Sequence, residues 1–522
     1  MIGRLKKFIK NNRVEFLVLL TILISAAFLR LYKISDYMTF LGDEGRDVMV
    51  AKGILEGNLT LLGPRASAGD FFLGPIYYYM IAPFLLLAGY DPVGPAIMVA
   101  LFGVATVFLI YYVGRKFFDA KTGLMSAALY SVSPIVIAYS RSSWNPNLMP
   151  FASLLIVYCI YMAIKNNSFK LFLTVGFLFG IAIQLHYLTV FLGVIVFFFV
   201  LFGNLIKNKK NIFLNLIKQY FLIFSGFIFG ISPFLFFEVR HGFPNIRTVF
   251  RFVFEDNAAD IYLPGHSFTS QIGDVFFRIF GRLVLKFPDP ITVDINNSFV
   301  LWIWFYGIII LGAISICSIF GIKDKLKVIL FSCWIFFGII LFGIYKKPIY
   351  DYYFGFMFPL PFLLIGNLLS KILDLKKNNI LLKSFSISIF IGILILNLTG
   401  SPFRNIPNKQ KDQAKNIADF VLSKTNGRPF NFALITNGNS DHVYRYFFEV
   451  ENRAPVTIQN PIDDPKRKSV TSQLLVICED TTCQPLGNSL WEVAGFGRAE
   501  IVGVWEVPFV KVYKLVPYEG KD

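Results

Sequence analysis

The chain has 522 residues, of which 55% are hydrophobic, 17% aromatic and only 16% charged, with a mean hydropathy of +0.60. A soluble globular domain is about 25% charged, so this composition excludes an ordinary soluble enzyme and points to a polytopic membrane protein. The net charge of +17 arises from 50 Lys and Arg against 33 Asp and Glu. The cations sit in short clusters between apolar runs, which is the positive-inside pattern and not the basic face of a nucleic-acid binder.

The basic N-terminus (Arg4, Lys6, Lys7, Lys10, Arg13) is expected to stay cytoplasmic. An uncleaved helix follows at 14–32, with no small-residue cleavage site after it. The next stretch, YMTFLGDEGRDVMVAKGILEG, then lies outside and carries Asp43, Glu44, Asp47 and Glu56. Residues 71–90 are apolar but broken by Gly74-Pro75 and Pro83. Arg115, Lys116 and Lys121 require a single crossing before them, at 95–113, so 71–90 is placed on the outer face. Further crossings are predicted at 122–138, 150–164, 171–185, 187–206, 220–237, 299–319, 328–344, 352–369 and 385–398. The total is about eleven spans of adequate length.

These spans form a predominantly α-helical membrane domain over 1–399, with outer loops at 34–94 and 238–298. From residue 400 to 522 charge and proline rise and the apolar runs shorten. That segment reads as a small extracytoplasmic α/β domain, with helices at 412–424 and 444–450 and strands at 430–436, 474–478 and 502–515. Of five cysteines, only Cys478 and Cys483 are placed to pair, and none shows metal-site spacing.

Several outward-facing residues carry possible chemistry. Asp43 and Glu44 open a helix after the Gly42 turn; they are solvated N-terminal acids or a working carboxylate pair close to the membrane. Lys346 and Lys347 in YKKPIYDYYF face outside against the positive-inside bias. They bind an anionic phosphate or snorkel to lipid headgroups. Arg141 in YSRSSWNPN is another outward cation, beside Asn145, or simply part of an interfacial Trp turn. His186, at a helix end, is structural or a site residue. FRIFGRLVLKF, with Arg278, Arg282 and Lys286, reads as a basic amphipathic surface helix. No Gly-rich phosphate loop, HExxH or GxSxG motif occurs, and no cytoplasmic domain could hold a nucleotide. A reaction on this face would therefore draw an energy-rich substrate from the membrane.

The chain resembles the GT-C membrane glycosyltransferases, in particular the bacterial branch similar to protein O-mannosyltransferases and the aminoarabinose transferase of lipid A. The marks are the early Asp43-Glu44 loop, GPIYYYM at 74–80, YSRSSWNPN after the third span, and YKKPIYDYYFGFMFPLP. The resemblance implies a polyprenyl-phosphate sugar donor and no required cofactor. It implies Asp43 as general base, with Glu44 as second choice, and inversion at the sugar. Lys346, Lys347 and Arg141 then contact the leaving phosphate. Asp47, Asn145, His186 and Tyr350 are the remaining candidates for acceptor or sugar contacts. The partners implied are membrane lipids and an acceptor protein, lipid or glycan, at the cell membrane, with no nucleic acid. The oligosaccharide-transferring branch places metal-binding acids after its third helix; WNPN here has none, which argues against a divalent metal. The alternatives are a lipid-linked sugar transporter, whose inverted repeats and midplane charges are not visible, and a polysaccharide polymerase.

Overall fold

The computed structural model describes residues 10–66, 69–207, 211–254, 267–285, 299–345, 347–375, 379–480 and 482–520. Lys346 and Lys286 lie outside the described residues, as do parts of the predicted outer loop at 255–266 and 286–298. The chain divides into two compact units.

The first unit comprises Met1–Tyr32, Leu59–Met80 and Ala96–Ile406. Helix occupies all eleven predicted span positions. Among the described residues, eight helices are long and apolar enough to cross a membrane, or nine if the bent pair Asp351–Met357 and Pro359–Leu373 counts as one span. The remaining two predicted spans are shorter or broken. Phe169–Leu185 is 17 residues long. Helix 122–138 is interrupted at Ser133, which is extended because it precedes Pro134. The predicted span at 220–237 also shifts. It runs Ile212–Gly230, and Pro233 opens a new helix, Ser232–His241. The Ile76–Leu87 helix has 12 residues, about 18 Å of rise, too short to span about 30 Å of hydrocarbon.

The predicted cytoplasmic turns gather at one end of this unit. Arg115 Nε donates to Glu15 Oε1 at 2.6 Å and Tyr111 to the same oxygen at 2.5 Å. Tyr161 donates to Asp324 at 2.6 Å, Lys327 to the Phe117 carbonyl at 2.6 Å, and Lys121 pairs with Asp374. The predicted outer turns gather at the opposite ends of the same helices. Two helices pack unusually closely. A Cβ on Gly176 would lie 1.9 Å from the Ile223 carbonyl oxygen, and one on Gly226 would lie 2.1 Å from that of Leu173. Gly176-x3-Gly180 faces Gly226-x3-Gly230, the small-residue pattern that lets apolar helices touch backbone to backbone.

The second unit comprises Lys33–Asn58, Ile81–Pro95 and Pro407–Asp522. Its sheet has strands β1 (Asn431–Ile435), β2 (Leu474–Cys478), β3 (Ala499–Val507) and β4 (Val510–Pro517), in the order β1-β2-β4-β3. β1 and β2 are parallel, with Ala433 opposite Val476; the other pairs are antiparallel. The predicted single strand at 502–515 is thus a hairpin, turning at Phe509, whose φ is 75°. Ala433, Leu474, Val476, Val493, Phe496 and Leu515 form its core. Cys478 and Cys483 are joined by a disulfide. The Gln410–Lys424 and His442–Val450 helices pack together in the same unit.

Candidate active site

The acidic stretch folds as the helix Gly42–Leu55 in the second unit. Its first turn is G-D-E-G for a steric reason. A Cβ on Gly42 would sit 2.3 Å from Ser440 Oγ, and one on Gly45 would sit 2.6 Å from the Val443 nitrogen. The glycines let the 439–443 segment close over one side of the helix start, and Asn439 Oδ1 accepts from the Gly42 N–H at 2.9 Å. Glu44 is buried and turns back to accept from the Leu41 N–H at 3.1 Å, a capping-box arrangement. Asp43 instead points outward, with 55% of its side chain exposed. Arg46 donates through Nη1 to Asp43 at 2.8 Å, and through Nε and Nη2 to Asp47 Oδ1 at 3.0 and 2.7 Å. The Asp47 side chain is fully buried, and its Oδ2 has no hydrogen-bond partner among the described residues. Burial outweighs the pull of Arg46 and pushes the Asp47 carboxyl up to about 7. Burial also lowers His442, whose surroundings include Asp441, Arg46, Arg445 and Asp43.

In the first unit the outer turns form an aromatic and basic cluster. Arg278 Nε donates to Asp351 at 2.8 Å, its Nη1 to the Ile349 carbonyl at 2.9 Å, and the guanidinium lies 4.9 Å from the Phe354 ring centre. Arg282 approaches the same Asp351 at 3.5 Å. This ties the turn that carries Lys347 and Tyr350 to the Phe268–Phe277 helix and the π-turn after it. The predicted surface helix is therefore folded into the unit, with Ile279 and Phe280 buried. Asp351, one acid in a cation-rich turn, is what draws the two arginines in. A cavity of about 1050 Å³ lies beside them, walled by Phe276, Phe277, Leu301, Trp304 and Phe305.

His186 is buried, with its ring 5.6 and 5.1 Å from Tyr352 and Tyr353. Tyr350 is exposed and its ring centre is 5.8 Å from that of Tyr352. Asn145 is buried and donates to the Leu185 carbonyl at 2.5 Å. His186 and Tyr350 thus meet around Tyr352 and Tyr353, and Asn145 holds the backbone of Leu185, the residue before His186. Arg141 is buried elsewhere in that end. It donates to the carbonyls of Leu29 at 3.0 Å and Tyr32 at 2.8 Å, closing the C-terminus of the first helix, and stacks 5.0 Å from Phe403.

Residues 73–230 match the family model described as dolichyl-phosphate-mannose-protein mannosyltransferase. YycA of Bacillus subtilis (strain 168), a candidate mannosyltransferase, is 27% identical over 139 residues; the match spans 26% of this chain and 20% of that protein. The crystal structure of ArnT from Cupriavidus metallidurans bound to undecaprenyl phosphate superposes with a TM-score of 0.59 at 10% identity, over 96% of this chain and 97% of that one. The fold is that of the GT-C membrane glycosyltransferases. The archaeal oligosaccharyltransferase AglB from Archaeoglobus fulgidus, in complex with an inhibitory peptide and a dolichol-phosphate, gives a TM-score of 0.53 at 11% identity, over 97% of this chain and 74% of that one.

On this GT-C fold, sequence reasoning found the acidic helix but missed what holds it. Arg46 drew no reading from the sequence, and its three donors meet two acids. Asn439 and Ser440 lie about 400 positions away in sequence, and only the two glycines hinted at a close neighbour. The Arg278–Asp351 pair was equally hidden, although both charges were visible. Among the described residues, no group of three His, Cys, Asp or Glu could hold a metal ion.

Proposed function

We propose that the protein is an inverting glycosyltransferase that moves a sugar from a polyprenyl-phosphate donor to an acceptor hydroxyl on the outer face of the cell membrane. The observation that carries this reading is the sorting of the three acids on the Gly42–Leu55 helix. Glu44 is committed to the helix start and Asp47 is buried, whereas Asp43 is exposed in the first turn. Asp43 accepts a hydrogen bond from the acceptor O–H. As that oxygen bonds to the anomeric carbon, its proton passes to the Asp43 carboxylate. The bond from the anomeric carbon to the phosphate oxygen breaks, and its electron pair leaves on polyprenyl phosphate. Attack opposite the leaving group inverts the centre. A base so placed contributes about 10²–10⁴-fold.

Lys346 and Lys347 neutralise the charge that grows on the departing phosphate. Arg141 is aimed at backbone carbonyls, so its part in phosphate binding is the lesser one. The apolar cavity beside Arg278 and Arg282 suits a prenyl chain, and the aromatic cluster at Tyr350, Tyr352 and His186 suits the face of a sugar. The family-model match and the undecaprenyl phosphate named with ArnT support a lipid-phosphate donor. The Cys478–Cys483 disulfide supports an oxidising side for the second unit.

The test is purified protein incubated with labelled polyprenyl-phosphate sugars and a membrane extract as acceptor. Transfer releases polyprenyl phosphate and moves label to an acceptor in equal amounts. Movement of intact sugar-lipid across a vesicle without cleavage would identify a transporter instead. Label accumulating in lengthening chains would identify a polymerase.

A further inference from the structure

The Gly42–Leu55 helix carries a cation whose position is fixed by two acids of different character. Nε and Nη2 of Arg46 grip one oxygen of Asp47, and Nη1 reaches Asp43. Asp47 is immobile in the packed interior of the second unit, and Asp43 is exposed. A guanidinium is planar and forked, so fixing two of its nitrogens fixes the direction of the third. We propose that Arg46, clamped by the buried carboxylate of Asp47, is a positioning residue that holds Asp43 in the orientation needed for proton transfer. The inference rests on the reading of Asp43 as general base.

The clamp costs stability when it is charged. Asp47 buries an oxygen without a partner among the described residues and carries its charge in a dry site. A neutral Asn would fill the same volume more cheaply. The ionised acid holds Arg46 more tightly than a neutral amide could. The charged groups that act on Asp47 are Arg46, Asp43 and Glu44 on its own helix; the His442–Val450 helix packed against it carries His442, Arg445 and Glu449, with Asp441 just before it. With the Asp47 carboxyl near 7, the clamp is charged at pH 8 and neutral at pH 6.

The experiment measures kcat and both KM values of full-length Asp47→Asn, Arg46→Gln, Arg46→Lys and Asp43→Asn across pH 6–8.5. Asp47→Asn should lower kcat about 10-fold at pH 8 and converge on the wild type at pH 6, with KM values unchanged. Arg46→Gln should lower kcat about 10–100-fold at every pH, as misplacement of a reacting group does. Arg46→Lys, which keeps charge but not the fork, should fall between. Inactive Asp43→Asn alongside wild-type kcat in Asp47→Asn and Arg46→Lys overturns the positioning role and leaves the base standing. Active Asp43→Asn overturns the base and the inference with it. A uniform loss in Asp47→Asn that does not change with pH marks a purely structural residue and also overturns the proposal.

Discussion

Asp43 and Glu44 are adjacent in sequence and differ in everything that matters for chemistry. Glu44 serves the backbone of its own helix, and Asp43 faces outward against Arg46. Asp43→Asn should lower kcat by about 10²–10⁴-fold while the protein remains folded by size-exclusion and thermal melt; near-normal transfer would remove Asp43 from the mechanism. Lys346→Ala with Lys347→Ala should raise the donor KM and lower kcat by about 10-fold or more, and unchanged donor kinetics would mean that the pair only meets lipid headgroups. Asp47 gives a stability test with a fixed sign. An ordinary Asp titrates near 3.8, and in the folded chain Asp47 titrates near 7. The folded state thus keeps a proton that the unfolded state releases. Stability falls as pH rises through that window, and the full cost is present above about pH 7. Asp47→Asn should therefore raise the unfolding midpoint at pH 8 by about 2–5 °C, with a smaller difference at pH 5. The candidate acids could be read from sequence because acids are rare in so apolar a chain. Their separate roles could not, because burial is set by Ser440 and by Val443 of the His442–Val450 helix.

At the level of elements, hydrophobic run length put helix at every predicted span position, although the 220–237 run holds parts of two helices that meet at Ile231. What the pattern could not show was interruption. Ser133 is extended and the Asp351–Met357 and Pro359–Leu373 helices bend by 56°, both beside prolines that a hydropathy run passes over. The β3–β4 hairpin was read as one strand because its turn, at Pro508 and Phe509, lacks the usual Asn-Gly or Gly signal. The Phe169–Leu185 and Ile212–Gly230 pair was legible as two helices but not as a contact. Its glycines make the contact testable. Gly176→Leu and Gly226→Leu would each push a side chain into a facing carbonyl, and both should lose the monodisperse peak on detergent size-exclusion. Gly392→Ala, where nothing lies within 4 Å, should behave as wild type. Equal behaviour of all three would show that the close approach does not hold the helices together.

At the scale of the whole molecule, sidedness is the property on which the proposed chemistry depends. The first unit collects Glu15, Arg115, Lys121, Tyr161, Asp324 and Asp374 at one end, and Arg278, Asp351, His186 and Tyr350 at the opposite helix ends. The first end holds the dense Lys and Arg turns that the positive-inside rule assigns to the cytoplasm. A donor built on the cytoplasmic side and used outside needs the second end to face out. Asp70 belongs to that second end and is 83% exposed, in a surface pair with Arg65 that contributes little to stability. Lys170 is exposed at the first end. In a background with Cys159, Cys317 and Cys333 replaced by Ser and the Cys478–Cys483 disulfide retained, Asp70→Cys should react with a membrane-impermeant maleimide in intact cells. Lys170→Cys should react only after permeabilisation. The parent background should take up label only once a reductant opens the disulfide. Labelling of Lys170→Cys from outside, with Asp70→Cys protected, would invert the first unit and overturn the outward reading of its Arg278–Asp351 end.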